Sequence, residues 1–300
     1  MIAPSHCCLC PRRCGADRTR HHGLCHGGRL VRVARAAPHH WEEPCLSGSK
    51  GSGTVFFSGC SLGCVFCQNH SISHHAAGRE LSVEQLAEVF LHLQAQAVHN
   101  LNLVTAAHYR PWVQQALLLA KAKGFSLPVV WNTGGYETLE TIEALRDLVA
   151  VWLFDLKFFS ADLSQELAAA PDYFALASQA LKKAHALAGA PRYTADGLLA
   201  QGVLVRLPVL PGQYADAENS LRFLADSFPA DSLVLSLMSQ YTPPEGLVLP
   251  KPLNRRLASY EYRRVCETAQ ALGFKKGYMQ QRSSASARFL PNFDGTGVLP

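Results

Sequence analysis

Three hundred residues, 48% of them apolar and 17% charged, give enough chain to bury a large core and too little charge for intrinsic disorder. The net charge of +5 is uneven: residues 1–50 and 251–300 carry eight and nine Lys or Arg against three acids each, while the middle is acidic. The chain shows no targeting segment and no apolar run approaching a membrane span, so a soluble cytoplasmic protein is expected.

Nine of the ten cysteines fall within the first seventy residues in short-spaced groups. In a secreted chain they would pair as disulfides, but this spacing favours metal in a reducing cytoplasm. Cys7, Cys10, Cys14 and Cys25, written CCLCPRRC and then GLC, supply four thiolates, enough to close a site for zinc or an auxiliary iron–sulfur cluster. Cys8 leaves the register open. With Gly15, Gly23, Gly27 and Gly28 close by, this segment lacks the apolar mass to fold alone, so a metal would supply much of its order. Cys45 reads as packing near the following domain and Cys266 as core. The expected organisation is a Cys-rich metal-binding segment over 1–50, a barrel over 51–282 and a tail over 283–300.

From Gly53 onward, strand and helix patterns alternate. The predicted strands are TVFF (54–57), LNLV (101–104), PVVW (128–131), VWLFD (151–155), VLVRLPVL (203–210) and SLVLSLM (232–238). Ser82 and Gln85 form a capping box, ahead of Leu86, Phe90, Leu93 and Ala97 at helical spacing. Pro111 can open a second helix, Thr138 a third with the stripe Ile142, Leu145 and Val149, and Asp216 a later one with Leu221, Leu224 and Phe228. Near-continuous apolar strands separated by helices predict a parallel sheet covered on both faces, an α/β fold of partial (β/α)6 barrel type.

In such a barrel, chemistry gathers where the strands end. The residues there are the loop after TVFF, Thr105 and His108, Asn132 with Thr133, Asp155 and Lys157, Arg206, and Gln240 with Tyr241. Asp155 and Lys157 stand two apart, so an extended strand end turns both to one side. The loop after the first strand carries Cys60, Cys64 and Cys67. Structural zinc usually closes with four ligands, whereas a cubane cluster on three thiolates leaves one iron open to a ligand. Zinc with His70 as fourth ligand is the alternative.

The CxxxCxxC loop after a glycine at the end of a first strand resembles the signature of the radical S-adenosylmethionine superfamily. The stretches EEPCLSG, GSGTVFFSGC, CQNHSIS, NLNLVTAAHY, VVWNTGGYE, FDLKF and SLMSQYTP, spread over most of the chain, resemble its uncharacterised branch related to pyruvate formate-lyase activating enzyme. The resemblance implies a [4Fe–4S] cluster on Cys60, Cys64 and Cys67 whose fourth iron chelates the amino and carboxylate groups of S-adenosylmethionine. It also implies reductive cleavage to a 5′-deoxyadenosyl radical that abstracts hydrogen, as in glycyl-radical activation of a protein, with an electron donor such as flavodoxin or ferredoxin. Phe66 would pack near the adenine, Thr105, His108 and Asn132 would border the cofactor, Asp155 and Lys157 would face its charged end or the substrate, and Arg206 would fork onto its carboxylate. The chain departs from that branch at Leu207, where a histidine is expected, and at Ala106–Ala107, where Pro-Thr is expected. Acid–base work at 207 is thereby excluded.

A second class competes: a non-catalytic iron–sulfur or zinc protein that binds nucleic acid through its basic ends. No stacking aromatics interleave with those charges, so nucleic acid is the weaker expectation.

Overall fold

The computed structural model describes residues 3–229, 231–281 and 290–298. In chain order the strands are β1 (Val31–His39), β2 (Ser52–Phe57), β3 (Arg79–Leu81), β4 (Leu101–Val104), β5 (Val129–Thr133), β6 (Val151–Asp155), β7 (Arg192–Tyr193), β8 (Leu199–Pro208), β9 (Val234–Met238) and β10 (Gly277–Met279). The helices are α1 (Pro44–Ser47), α2 (His70–Ser73), α3 (Val83–Ala95), α4 (Arg110–Ala122), α5 (Leu139–Ala144), α6 (Ala161–Ala168), α7 (Tyr173–Ala188), α8 (Tyr214–Ser227) and α9 (Ser259–Ala271).

The sheet runs β10-β9-β8-β6-β5-β4-β2-β1-β3, with β7 against β8. From β2 through β10 every neighbouring pair on that path is parallel, while β1 is antiparallel to both β2 and β3. This is an open partial barrel, and all six predicted strands belong to its parallel run. β1 comes from the Cys-rich segment, so that segment joins the barrel sheet rather than standing beside it. The far end of the chain returns to the same strand: Ala36 N–H donates to Thr296 O at 2.9 Å and Gly295 N–H to Ala34 O at 3.0 Å.

Both faces of the parallel strands are buried, which explains their unbroken apolar runs. One face packs beneath the helices, with Leu103, Trp131, Trp152, Val203 and Val205 in the main core. On the other, Val130, Val151, Leu153, Leu204 and Val234 close around Cys45 and Leu46 of α1. α1 thus plugs the barrel from inside near the beginnings of the strands, and Asn100, just before β4, holds it through Nδ2 to Leu46 O at 2.8 Å.

The helix signals hold with local departures. Ser82 and Gln85 make the reciprocal capping box of α3. Ala97 lies beyond that helix at φ +58° and does not extend its stripe. Thr138 caps α5, which stops at Ala144, so Val149 packs from the following turn. α8 begins at Tyr214, ahead of Asp216. The Asp216 carboxylate instead accepts from Phe159 N–H at 2.8 Å and Ser160 N–H at 2.7 Å, tying α8 to the loop after β6.

Candidate active site

The loop between β2 and α2 turns at Gly59, whose φ is +82°. A Cβ there would stand 2.0 Å from Cys25 O, so the close approach and the backbone angle both require glycine. The loop then folds on itself: Cys67 N–H donates to Cys64 O and His70 N–H to Cys67 O, each at 3.1 Å. Cys60, Cys64 and Cys67 line one wall of a cavity of about 540 Å³. Burial pushes the Cys64 and Cys67 thiols up, with neighbouring thiol charge adding to the effect at each. Three thiolates in so dry a place need a bound positive charge to coexist, which fits an iron–sulfur core.

Opposite the thiols stand the strand ends. Phe66 lies edge-on to Phe158 at 5.9 Å and to Tyr241 at 6.3 Å and presents its ring to the cavity. Thr105 borders the same space at φ +61°, a left-handed backbone whose N–H is held by Asn132 O at 2.9 Å. Asn132 lines the cavity beside it. Lys157 Nζ donates to Asp155 Oδ2 at 2.6 Å. Burial alone would lower the lysine pKa, but Asp155 and then Cys64 hold it above its ordinary value. Asp155 Oδ1, also buried, has no hydrogen-bond partner among the described residues. That orphan acceptor at a cavity wall fits a ligand that brings a donor.

Two expected cofactor residues are placed differently. Arg206 reaches the cavity, but its fork is taken: Nε donates to Glu43 Oε1 at 2.8 Å and Nη2 to Glu43 Oε2 at 2.6 Å, with Glu42 on Nη2 as well. Burial would raise the Glu43 carboxyl, yet Arg206 outweighs it and holds it below the usual carboxylate range. Glu42 also accepts from Asn102 Nδ2 at 2.9 Å. Arg206 is therefore bound to carboxylates of its own chain. Glu42 and Glu43 are the site residues that chemistry-by-spacing did not single out; two adjacent acids ahead of a Pro-initiated turn were the available signal. His108 is fully buried behind the cysteine loop, its Nε2 donating to Ser58 O at 2.9 Å, and it does not line the cavity. Burial pushes its pKa down to about 3, so the ring is neutral.

The amino-terminal thiols gather separately. Cys7 pairs with the chain at Gly15 and Ala16, and Arg13 N–H closes a turn onto Cys10 O at 3.0 Å. The sulfurs of Cys14 and Cys25 both come within 3.4 Å of the place a Gly23 side chain would occupy. Burial pushes the Cys10 pKa up to about 12, and Cys8 is exposed. Among the described residues no three His, Cys, Asp or Glu side chains stand at the spacing of a single-ion site. For the barrel triad that bears on zinc with His70; a cluster seats each thiolate on a different iron and asks for wider spacing.

Three thiols on the loop after the first parallel strand, facing a cavity at the rim of an open parallel barrel, define a class of iron–sulfur barrel protein. The chain belongs to the radical SAM superfamily, whose family model matches residues 54–224. The superfamily's cofactors are a [4Fe–4S] cluster and S-adenosylmethionine. An uncharacterised protein of Methanocaldococcus jannaschii is 27% identical over 274 residues, 88% of this chain and 74% of that one. Streptococcus suis SuiB bound to its precursor peptide SuiA matches in fold with a TM-score of 0.50 at 11% identity, over 74% of this chain and 46% of that one. A domain of pyruvate-formate lyase-activating enzyme from Bacteroides vulgatus aligns over 58% of this chain and 92% of its own, at 16% identity and a TM-score of 0.39. No helix among the described residues is long and apolar enough to cross a membrane.

Proposed function

We propose that the protein is a cytoplasmic radical enzyme of the activating-enzyme type, with Cys60, Cys64 and Cys67 holding the cluster and the opposite strand ends holding S-adenosylmethionine. The observation that carries this reading is that the three thiols share one cavity with the Lys157–Asp155 pair and its orphan oxygen. When bound, cluster and cofactor together supply a 5′-deoxyadenosyl radical that abstracts hydrogen from a substrate. The chain's own residues position and exclude. Phe66 offers an aromatic face to the adenine. Asp155 Oδ1 accepts from the methionyl ammonium, and Lys157 balances the added negative charge of the site. Thr105 and Asn132 border the same pocket. The Glu42–Arg206–Glu43 group forms the wall away from the thiols.

A cavity of about 540 Å³ is the size that one drug-sized ligand fills. Cofactor and cluster thus take most of it, and the substrate presents a small or extended group across the rim, as a backbone glycine of a protein would. Cys7, Cys10, Cys14 and Cys25 hold a second metal, zinc or an auxiliary cluster, and a flavodoxin or ferredoxin supplies the electron.

Anaerobically reduced protein incubated with S-adenosylmethionine and deuterated cell extract should yield deuterated 5′-deoxyadenosine, read by mass spectrometry. Deuterium drawn from the protein fraction supports a protein substrate; deuterium drawn from small molecules makes this a biosynthetic enzyme. No 5′-deoxyadenosine from protein with an intact, reducible cluster removes the enzyme reading and leaves a metal-binding module.

A further inference from the structure

The two cysteine sets meet on one short stretch of backbone, residues 58–62. Three contacts make the meeting. Arg12 stands between Cys10 and Cys14, in the turn that Arg13 N–H closes onto Cys10 O at 3.0 Å. Its guanidinium reaches the barrel: Nε donates to Ser61 O at 2.9 Å, and Nη2 donates to Leu62 O at 3.0 Å and to Ala168 O at 2.6 Å. Nη1 donates to Ala169 O at the end of α6. Arg18, 1% exposed, donates through Nη1 to His108 O at 2.5 Å while lying 4.7 Å from the Trp112 ring, and the His108 imidazole in turn holds Ser58 O. Third, the Cys25 carbonyl occupies the space above Gly59.

Arg12 thus sets a full positive charge on four backbone carbonyls. Two of these, Ser61 O and Leu62 O, lie between Cys60 and Cys64, so their positions govern how far apart the first two barrel thiols stand. Among the described residues the amino-terminal thiols converge without reaching single-ion spacing. Cys10 and Cys14 bracket Arg12, so an ion held by both thiols would pin the turn that carries it.

We infer that Arg12 is a positioning residue through which metal at the amino-terminal thiols fixes the geometry of the barrel cysteine loop. The inference rests on the second metal of the proposed function but not on the barrel chemistry. Coupling of this kind is reciprocal: a loop set for its cluster holds the amino-terminal turn closed, and the closed turn holds the loop.

The test uses the full chain with Cys60, Cys64 and Cys67 all replaced by alanine, so that added metal binds only at the amino terminus. Amide hydrogen exchange over residues 58–67 is measured before and after one equivalent of Zn²⁺, and again with Fe²⁺, using the β5 amides as the folding control. Metal should be retained, and exchange in the loop should slow by about tenfold or more, equivalent to about 1.4 kcal/mol. With Arg12→Ala added, metal content should stay the same and the slowing should vanish. Arg12→Lys, which keeps the charge but not the fork, should restore only part of it, and it replaces the alanine variant if the latter fails the β5 control. Failure to retain metal, loop exchange indifferent to metal, or slowing that survives both Arg12 variants would each overturn the inference. Failure of the enzyme reading shows elsewhere, as wild-type protein that forms no 5′-deoxyadenosine.

Discussion

The barrel triad and the amino-terminal quartet use the same side chain to opposite ends. The triad sits on a loop at a cavity wall, faces the Lys157–Asp155 pair, and presents three ligands where four would close a site. The quartet lies in a glycine-rich segment with little apolar mass, turned away from the cavity, and presents four. On the proposed reading, ligand number alone separates a site that receives something from one that holds something. Surroundings separate them further. The triad borders the main core, of which Cys64 is part, whereas the amino-terminal segment is tied to the barrel by Arg12, Arg18 and backbone turns.

The contrast breaks most sharply when one ligand is removed from each set. Cys64→Ala should abolish S-adenosylmethionine cleavage and its perturbation of the cluster spectrum. Cys14→Ala should leave a cluster in the barrel and lose metal only from the amino terminus. Anaerobic reconstitution with iron analysis and electron paramagnetic resonance separates the two, and an unchanged four-iron spectrum in Cys64→Ala would refute the ligand assignment.

A smaller effect sharpens the cavity side. Lys157→Ala should keep full iron while weakening S-adenosylmethionine binding by about 1.5–3 kcal/mol, because Lys157 Nζ no longer fixes the Asp155 carboxylate in the orientation that meets the methionyl ammonium. Equilibrium titration of the reconstituted protein reads this directly. Arg206→Ala should instead lower thermal stability before it alters cofactor affinity, because its donors serve Glu42 and Glu43.

A further effect, graded by pH, concerns the joint between the sets. His108 titrates near 6.5 when unfolded and at about 3 when folded, so the unfolded state binds the extra proton between those values. Its contribution is thus present above pH 6.5 and falls away as the pH drops toward 3, by at most about 1.4 kcal/mol per pH unit. His108→Gln, which keeps a donor for Ser58 O but does not titrate, should show a shallower loss of melting temperature between pH 6.5 and 4 than the wild type. Parallel slopes in differential scanning calorimetry would contradict a neutral buried imidazole.

The parallel strands were legible because each is a short apolar run covered on both faces, a pattern that needs no knowledge of its neighbours. β1 was not: VRVARAAPH alternates with arginine and carries Pro38 just before its last residue, and its strand character comes from pairing with β2 and with residues 295 and 296 near the other end of the chain. β3, β7 and β10 span two or three residues, too few to leave a period. In the site, the thiol triad was written in its spacing. The partners of Arg206 were not, since Glu43 is 163 positions away and only the fold joins them. His108 misled because a turn of 3-10 helix over Ala107–Tyr109 follows β4 and swings the ring behind the loop instead of onto the rim.

α1, seated among Val130, Val151, Leu153 and Leu204, makes the barrel a vessel with a sealed base. Whatever binds deepest must arrive before what binds above it and can depart only after the upper ligand has cleared. For a cofactor held against the strand ends and a substrate laid over the rim, that architecture dictates a compulsory sequence, cofactor first in and its fragments last out. Product-inhibition kinetics would carry the imprint of that sequence, written by a four-residue helix whose first residue, Pro44, lines the cavity.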